Sequence, residues 1–242
     1  MNHEFLSKLR ADIDRRFGWY LERILTTSAE HGPFGAGLLE SLQAEIPKTS
    51  CENCGICCNA VSIFSLEYHR IVRDLMRRLP PERLKETFRT ALHFDERIAE
   101  FDGESAIAKW SGERRIRCSF RDDALKICRI HSVRPFACRF FGLLKADGTR
   151  ECPKVLEFQP APPPLAPERL TQLQERIVAN SETFAPFANS ESVAFFPFEF
   201  WLFKAALGET QALRIYREIL VPASSPLSNL WQIELATGSK RD

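Results

Sequence analysis

All eight cysteines of this 242-residue chain lie between Cys51 and Cys152, and the stretches 1–50 and 153–242 contain none. Four form the run Cys51-Glu52-Asn53-Cys54-Gly55-Ile56-Cys57-Cys58, and the others are Cys118, Cys128, Cys138 and Cys152. A thiolate is a soft, anionic donor suited to zinc and to iron–sulfur clusters. The Cys-x2-Cys spacing of Cys51/Cys54 and of Cys54/Cys57 lets two sulfurs converge on one metal from a tight turn. The adjacent pair Cys57-Cys58 differs, because neighbouring side chains diverge in extended or helical backbone. Two such sulfurs suit different irons of one cluster, or two separate metals, better than a single zinc knuckle. The spacing points to a multinuclear site or to two sites, completed by donors from 118–152, with all eight cysteines as candidate ligands. The plain alternative, buried reduced thiols packed as small hydrophobes, does not explain clustering at ligand spacing.

Other residues stand close to the cysteines. His131 follows Cys128 by three residues and is expected to pack or hydrogen-bond near the site rather than to ligate. Arg134 and Arg139 can offset thiolate charge and donate to sulfur, or can pair with surface carboxylates. Pro135 pushes Arg134 towards extended backbone and opens a helix at Phe136. Cys138 then falls in the first turn, where free N–H groups and the helix dipole favour a thiolate. His69, on a charged helix face, and His93, near a helix end, read as solvent-exposed. The basic run Arg70, Arg73, Arg77 and Arg78 reads as a solvated face. No Ser/His/Asp set, P-loop or dinucleotide fingerprint stands out.

The elements that must position these residues read as mainly α: a helical domain with a small β-hairpin and an irregular cysteine-rich metal-binding region. Leu6, Leu9, Ile13, Phe17, Tyr20 and Ile24 recur at helical steps and predict a helix over 4–25. His31-Gly32-Pro33-Phe34-Gly35-Ala36-Gly37 is expected to break it, with a short helix following at 36–45. A second helix is expected after Ser65 as N-cap, running to Leu79, and a third opens at Pro81. Residues 101–115 read as a polar loop. From Ile116 the period becomes two: Ile116, Cys118 and Phe120, then Leu125 and Ile127, predict a hairpin turning at 121–124, with Cys128 ending its second strand. The run from Gln159 to Leu165 is a stiff proline linker. Helices are expected at 167–180 and 198–220. The aromatic run Phe195, Phe196, Phe198, Phe200, Trp201 and Phe203 is expected in the core. Three segments follow: an N-terminal helical segment at 1–50, a cysteine-cluster metal-binding core with a helical insert at 51–158, and a proline linker with a C-terminal helical segment packing on the core at 159–242.

Composition sets outer limits. The chain is 44% hydrophobic and 27% charged, which supplies apolar material for a core without disulfide staples. Its 33 basic and 32 acidic residues give a net charge of +1, so bulk electrostatics make no strong case for nucleic-acid binding. The N-terminus lacks a signal-peptide apolar core. The most apolar stretch, Val193 to Leu207, is interrupted by Pro197, Glu199 and Lys204 and makes a poor membrane span. A cytoplasmic location is expected, where thiols stay reduced. A protein partner is left open.

The run Cys51-x2-Cys54-x2-Cys57-Cys58, with the later segment Cys128-Arg129-Ile130-His131-Ser132-Val133-Arg134-Pro135-Phe136-Ala137-Cys138-Arg139 and a further cysteine, resembles the YkgJ-like CxxCxxCC group of zinc- or iron-chelating proteins. The resemblance covers roughly 51–153, with a long helical insert at 59–117 between the two halves. It implies metal binding by these cysteines. A related branch resembles flagellin lysine N-methylases, which implies S-adenosylmethionine and a protein lysine as substrate; no glycine-rich nucleotide loop accompanies it here. The first expectation is therefore an iron–sulfur protein with a redox or maturation role, ahead of zinc. Alternatives are a structural-zinc interaction protein and a metal-dependent enzyme of the lysine N-methylase kind.

Overall fold

The computed structural model describes residues 2–46, 51, 55, 58, 61–100, 114–141, 143, 164–184 and 195–220. Cys54, Cys57 and Cys152, the loop 101–113, the linker through Pro163 and the tail after Leu220 lie outside the described residues. The described chain is mainly α-helical, with three short antiparallel strand pairs.

Helix α1 (His3–Ala44) is capped by Asn2, whose side chain accepts from the Phe5 N–H at 3.0 Å. Its buried stripe is Leu6, Leu9, Ile13, Phe17, Tyr20 and Ile24, the set that the helical period selects. The expected break at 31–37 does not occur. The helix continues to Ala44, and Leu39 and Leu42 at its far end are fully buried in a second apolar cluster. Tertiary burial there outweighs the weak helix propensity of the glycines. The irregularity falls instead at Arg16, where φ is −119° and ψ 22°.

Strand β1 (Ser62–Ile63) leads into α2 (Ser65–Arg78), which packs along α1. Phe64, not Ser65, is the N-cap, and Glu67 in the first turn reaches back to accept from the Phe64 N–H at 3.1 Å. Helix α3 (Pro81–Leu92) opens on Pro81 as expected and buries Leu84, Phe88, Ala91 and Leu92. A 3₁₀ turn (Phe94–Arg97) precedes β2 (Ile98–Glu100), which pairs with β3 (Arg114–Ile116), so the last two residues of the expected loop are strand. The hairpin is β4 (Arg121–Asp122) and β5 (Ile127–Cys128), with Arg121 opposite Cys128 and Asp122 opposite Ile127. Cys128 ends the second strand, as the alternation predicts. Ile116 and Cys118 are not on the first strand. Ile116 and Phe120 are buried, but so is Ser119, and Leu125 and Ile127 are exposed, so burial does not follow the expected alternation; Ile116 pairs with the distant Ile98 instead of across the local turn.

After a 3₁₀ turn (His131–Val133) comes the short α4 (Phe136–Phe141), then α5 (Pro167–Phe184). Strand β6 (Phe196–Pro197) pairs with β1, Ser62 facing Pro197 and Ile63 facing Phe196. The expected helix over 198–220 is divided into α6 (Phe198–Leu207), α7 (Glu209–Ile215) and a π turn (Tyr216–Leu220). Gly208 makes the division, at φ +86°, backbone that glycine adopts without strain.

Phe196, Phe198, Phe200, Trp201 and Phe203 are all buried, so the aromatic run is core. They join α1, α2 and α3 residues in one cluster, and the Trp201 Nε1–H donates to the Ile63 carbonyl at 2.9 Å. The C-terminal helices are thereby tied to the segment that leaves the cysteine run. Among the described residues no helix is long and apolar enough to cross a membrane.

Candidate metal centre

The cysteine run and the later cysteines meet through the backbone. The Cys58 N–H donates to the Gly55 carbonyl at 3.1 Å, closing a tight turn, and the Cys118 N–H donates to the Cys58 carbonyl at 3.1 Å. Gly55 has φ +84°, and a Cβ there would lie 3.4 Å from Nε and Nη2 of Arg121. Arg121 stands opposite Cys128 in the hairpin, and its N–H donates to the Cys118 carbonyl at 3.1 Å. The turn holding Cys58 therefore lies against the hairpin that carries Cys128.

Cys51, Cys58, Cys118, Cys128 and Cys138 form no disulfide, and each is partly covered. Burial pushes the Cys118 thiol up to about 12; Cys128, Cys58 and Glu199 add to this, and the Phe120 N–H opposes it. Burial also raises Cys128, with Cys58 and Cys51 adding to the rise and the Ile130 N–H and Arg134 opposing it. Cys138 is raised well above the ordinary thiol value, by burial first and then by Cys118, Cys128, Cys58 and Glu67. These thiols are thus electrostatic neighbours, and each thiolate formed makes the next harder to form.

For Cys138 this reverses the sequence expectation. It sits in the first turn of α4 as predicted, yet burial outweighs the pull of the helix start. Glu67 occupies that helix start, its Oε1 accepting from the Phe136 N–H at 2.7 Å. Burial lifts the Glu67 carboxyl to about 7, against the two N–H donors and the charges of Arg70 and Arg139. Glu67 thus bonds to the N-terminal ends of α2 and α4 and positions Cys138.

The neighbouring side chains sort themselves differently. Arg134 is buried, and its charge opposes the rise of the Cys128 thiol, in line with the first of the two roles open to it. Arg139 donates to the carbonyls of Ser132 at 2.9 Å and Arg134 at 3.2 Å and to Gln43 Oε1 at 3.3 Å, so it knits the loop before Cys138. His131 is exposed. His69 is not exposed but buried, its Nδ1 lying 3.1 Å from Ser28 Oγ, because the α2 face that carries it packs on α1. His93 is likewise buried, with Nε2 3.2 Å from the Asp14 carboxylate on α1. In the basic run only Arg77 and Arg78 are exposed; Arg70 and Arg73 are half-buried.

Three residues of the site carry no motif: Glu67, Arg121 and Glu199. The usable signal was an ionisable residue inside an apolar run, as Glu199 is between Phe198 and Phe200, because a charge buried there needs a partner. Arg97 supplies one, its Nη2 donating to Glu199 Oε1 at 2.7 Å.

The donor set fits a soft or borderline cation. A cation replacing the protons of such buried thiols would take them as ligands, and its positive charge would offset their mutual repulsion. Among the described residues, no three His, Cys, Asp or Glu side chains are already gathered as a metal cage. Three of the eight candidates, Cys54, Cys57 and Cys152, lie outside those residues.

Residues 50–155 match the family model CxxCxxCC, described as "Putative zinc- or iron-chelating domain". The matched stretch includes every cysteine of the chain. No curated protein and no solved structure matches the chain.

Proposed function

We propose that this CxxCxxCC domain holds zinc or iron through thiolates of Cys51, Cys54, Cys57, Cys58, Cys118, Cys128, Cys138 and Cys152, and so ties the early run to the later segment. The observation that carries the reading is the contact of the two halves: the Cys118–Cys58 backbone hydrogen bond at 3.1 Å, with Cys58 of the early run adding to the rise of the later thiols Cys118, Cys128 and Cys138. The adjacent Cys57-Cys58 pair favours an iron–sulfur cluster over a lone zinc. Such a cluster supplies one-electron chemistry when bound. The chain's own contribution is burial, the hydrogen bonds from the Phe120 and Ile130 N–H groups towards Cys118 and Cys128, and the Arg134 charge.

The test is element analysis of protein purified anaerobically without a metal-chelating tag. A brown protein absorbing near about 400 nm is the expected result. A colourless protein with stoichiometric zinc keeps the metal site and discards the cluster. Cys54→Ser and Cys138→Ser should each lower the metal content. Wild-type protein that takes up neither metal sinks the reading.

A further inference from the structure

A cavity of about 300 Å³ opens where α1, α2 and α6 meet, and no described cysteine lines it. Small-molecule sites begin at about that volume. Its most buried lining is Ser65, Tyr68, His69 and Trp201. Two of these side chains have polar atoms to offer. His69 Nδ1 lies 3.1 Å from Ser28 Oγ, and among the described residues its Nε2 makes no hydrogen bond. The Ser65 hydroxyl makes none among the described residues either. Neither atom is fully enclosed by protein, so the cavity reaches both.

Positive groups surround this lining. Lys204 Nζ stands 5.4 Å from the Trp201 ring centroid and pairs with Glu209 at 2.8 Å. Arg23 lies over the Trp19 ring at 5.6 Å and among the described residues pairs with no carboxylate. The His31 ring meets His69 edge to face, with centroids 5.4 Å apart. His31 and Lys204 both add to the burial that keeps His69 neutral, which marks a positive field at that ring. Of the two acidic residues at the cavity, Glu209 is held by Lys204 and Glu30 is exposed to water. An ammonium and a guanidinium beside a neutral histidine suit an anion.

We propose that this cavity binds a small ring-bearing anion, its carboxylate or phosphate held by Lys204 and Arg23 and its ring laid against Trp201 and Tyr68. Ser65 and His69 meet its remaining acceptors: with the Ser28 hydroxyl donating to Nδ1, the ring proton sits on Nε2 and donates to the ligand. The Glu209 ion pair already places a carboxylate on the Lys204 ammonium, and the ligand shares that ammonium. Trp201 and Tyr68 give the flat apolar surface that a ring packs on. The site stands apart from the metal reading, and its α1 and α6 walls lie outside residues 50–155.

Calorimetric titration of the full chain tests this with four probes of one ring: benzoate, phenyl phosphate, benzamide and benzylamine. At least one anion should bind with a Kd of about 1 mM or tighter, and the neutral amide and the cationic amine at least about tenfold more weakly. The tighter of the two anions identifies the headgroup. Lys204→Met should weaken the anion at least about tenfold. Should that variant not fold, Arg23→Gln, at an exposed position, should weaken it about threefold. Amide or amine binding as tight as the anions, anion binding unchanged in the folded variants, or no heat from either anion overturns the assignment.

Discussion

The helical body and the cysteine region both bury titratable groups, with opposite consequences. In the body, His69 is enclosed by the rings of Tyr68, His31 and Phe184, with Ser28 Oγ at its Nδ1. Burial, with His31 and Lys204 adding, drives its pKa down to about 3. The neutral ring is at home there and asks for no cation. In the cysteine region the strands are two or three residues long and α4 has six residues. There burial gathers thiols that oppose one another's ionisation. Burial settles His69 as a neutral ring, whereas the gathered thiols oppose one another's ionisation, a repulsion that a bound cation would relieve. The body's stability should therefore be independent of metal, and the cysteine region's should not.

The largest effect should come from the body. Phe203 is fully buried and meets Phe94 edge to face, with ring centroids 6.2 Å apart. Phe203→Ala should remove about 3–5 kcal/mol of stability. Urea denaturation should find the same loss in metal-loaded and chelator-treated protein. A loss confined to the loaded form would break the comparison, because the body would then depend on the metal.

The next effect tests whether the body's buried histidine is as self-sufficient as its surroundings imply. His69 binds a proton less readily folded than unfolded, so the unfolded state carries more protons between about pH 6.5 and 3. Stability is full above pH 6.5 and falls as the pH drops through that window. The loss should reach about 2–4 kcal/mol by pH 4. Measured on chelator-treated protein, His69→Gln should flatten that fall. An unchanged pH slope in the variant would assign acid sensitivity elsewhere.

How much could be read in advance follows the same division. The body's elements were legible because its signals are periodic: the α1 stripe, Pro81 at a helix start and the aromatic run all repeat or punctuate at fixed steps. Its misreadings came from long-range burial, as where α1 runs through the glycines of 31–37 to bury Leu39 and Leu42. The cysteines were legible as a metal motif by spacing alone, and the family match to 50–155 accords with that. Their environment was not legible. Glu67 reaches the Phe136 N–H, and Glu199 lines one cavity with Cys118 and Cys138, over separations that no local pattern encodes. His69 and His93 misled for the same reason, since the helix that covers each face lies elsewhere in the chain.

The smallest effect probes the seam where the cysteine run meets the hairpin. Gly55 has φ +84°, and a Cβ would stand 3.4 Å from the Arg121 guanidinium, close but sterically tolerable. The penalty for alanine is therefore conformational, on the order of 1 kcal/mol for a left-handed residue. Asparagine adopts that backbone more readily, so Gly55→Asn should lose less than Gly55→Ala. Because this turn presents Cys58 to Cys118, the alanine variant should lose metal to a chelator faster than wild type while the metal-free body melts within a degree or two of it. Equal losses for alanine and asparagine would mean that the guanidinium contact, not the backbone, sets the limit. A matching drop in the metal-free melt would mean that the turn supports the body as well, and the two regions would no longer be separable.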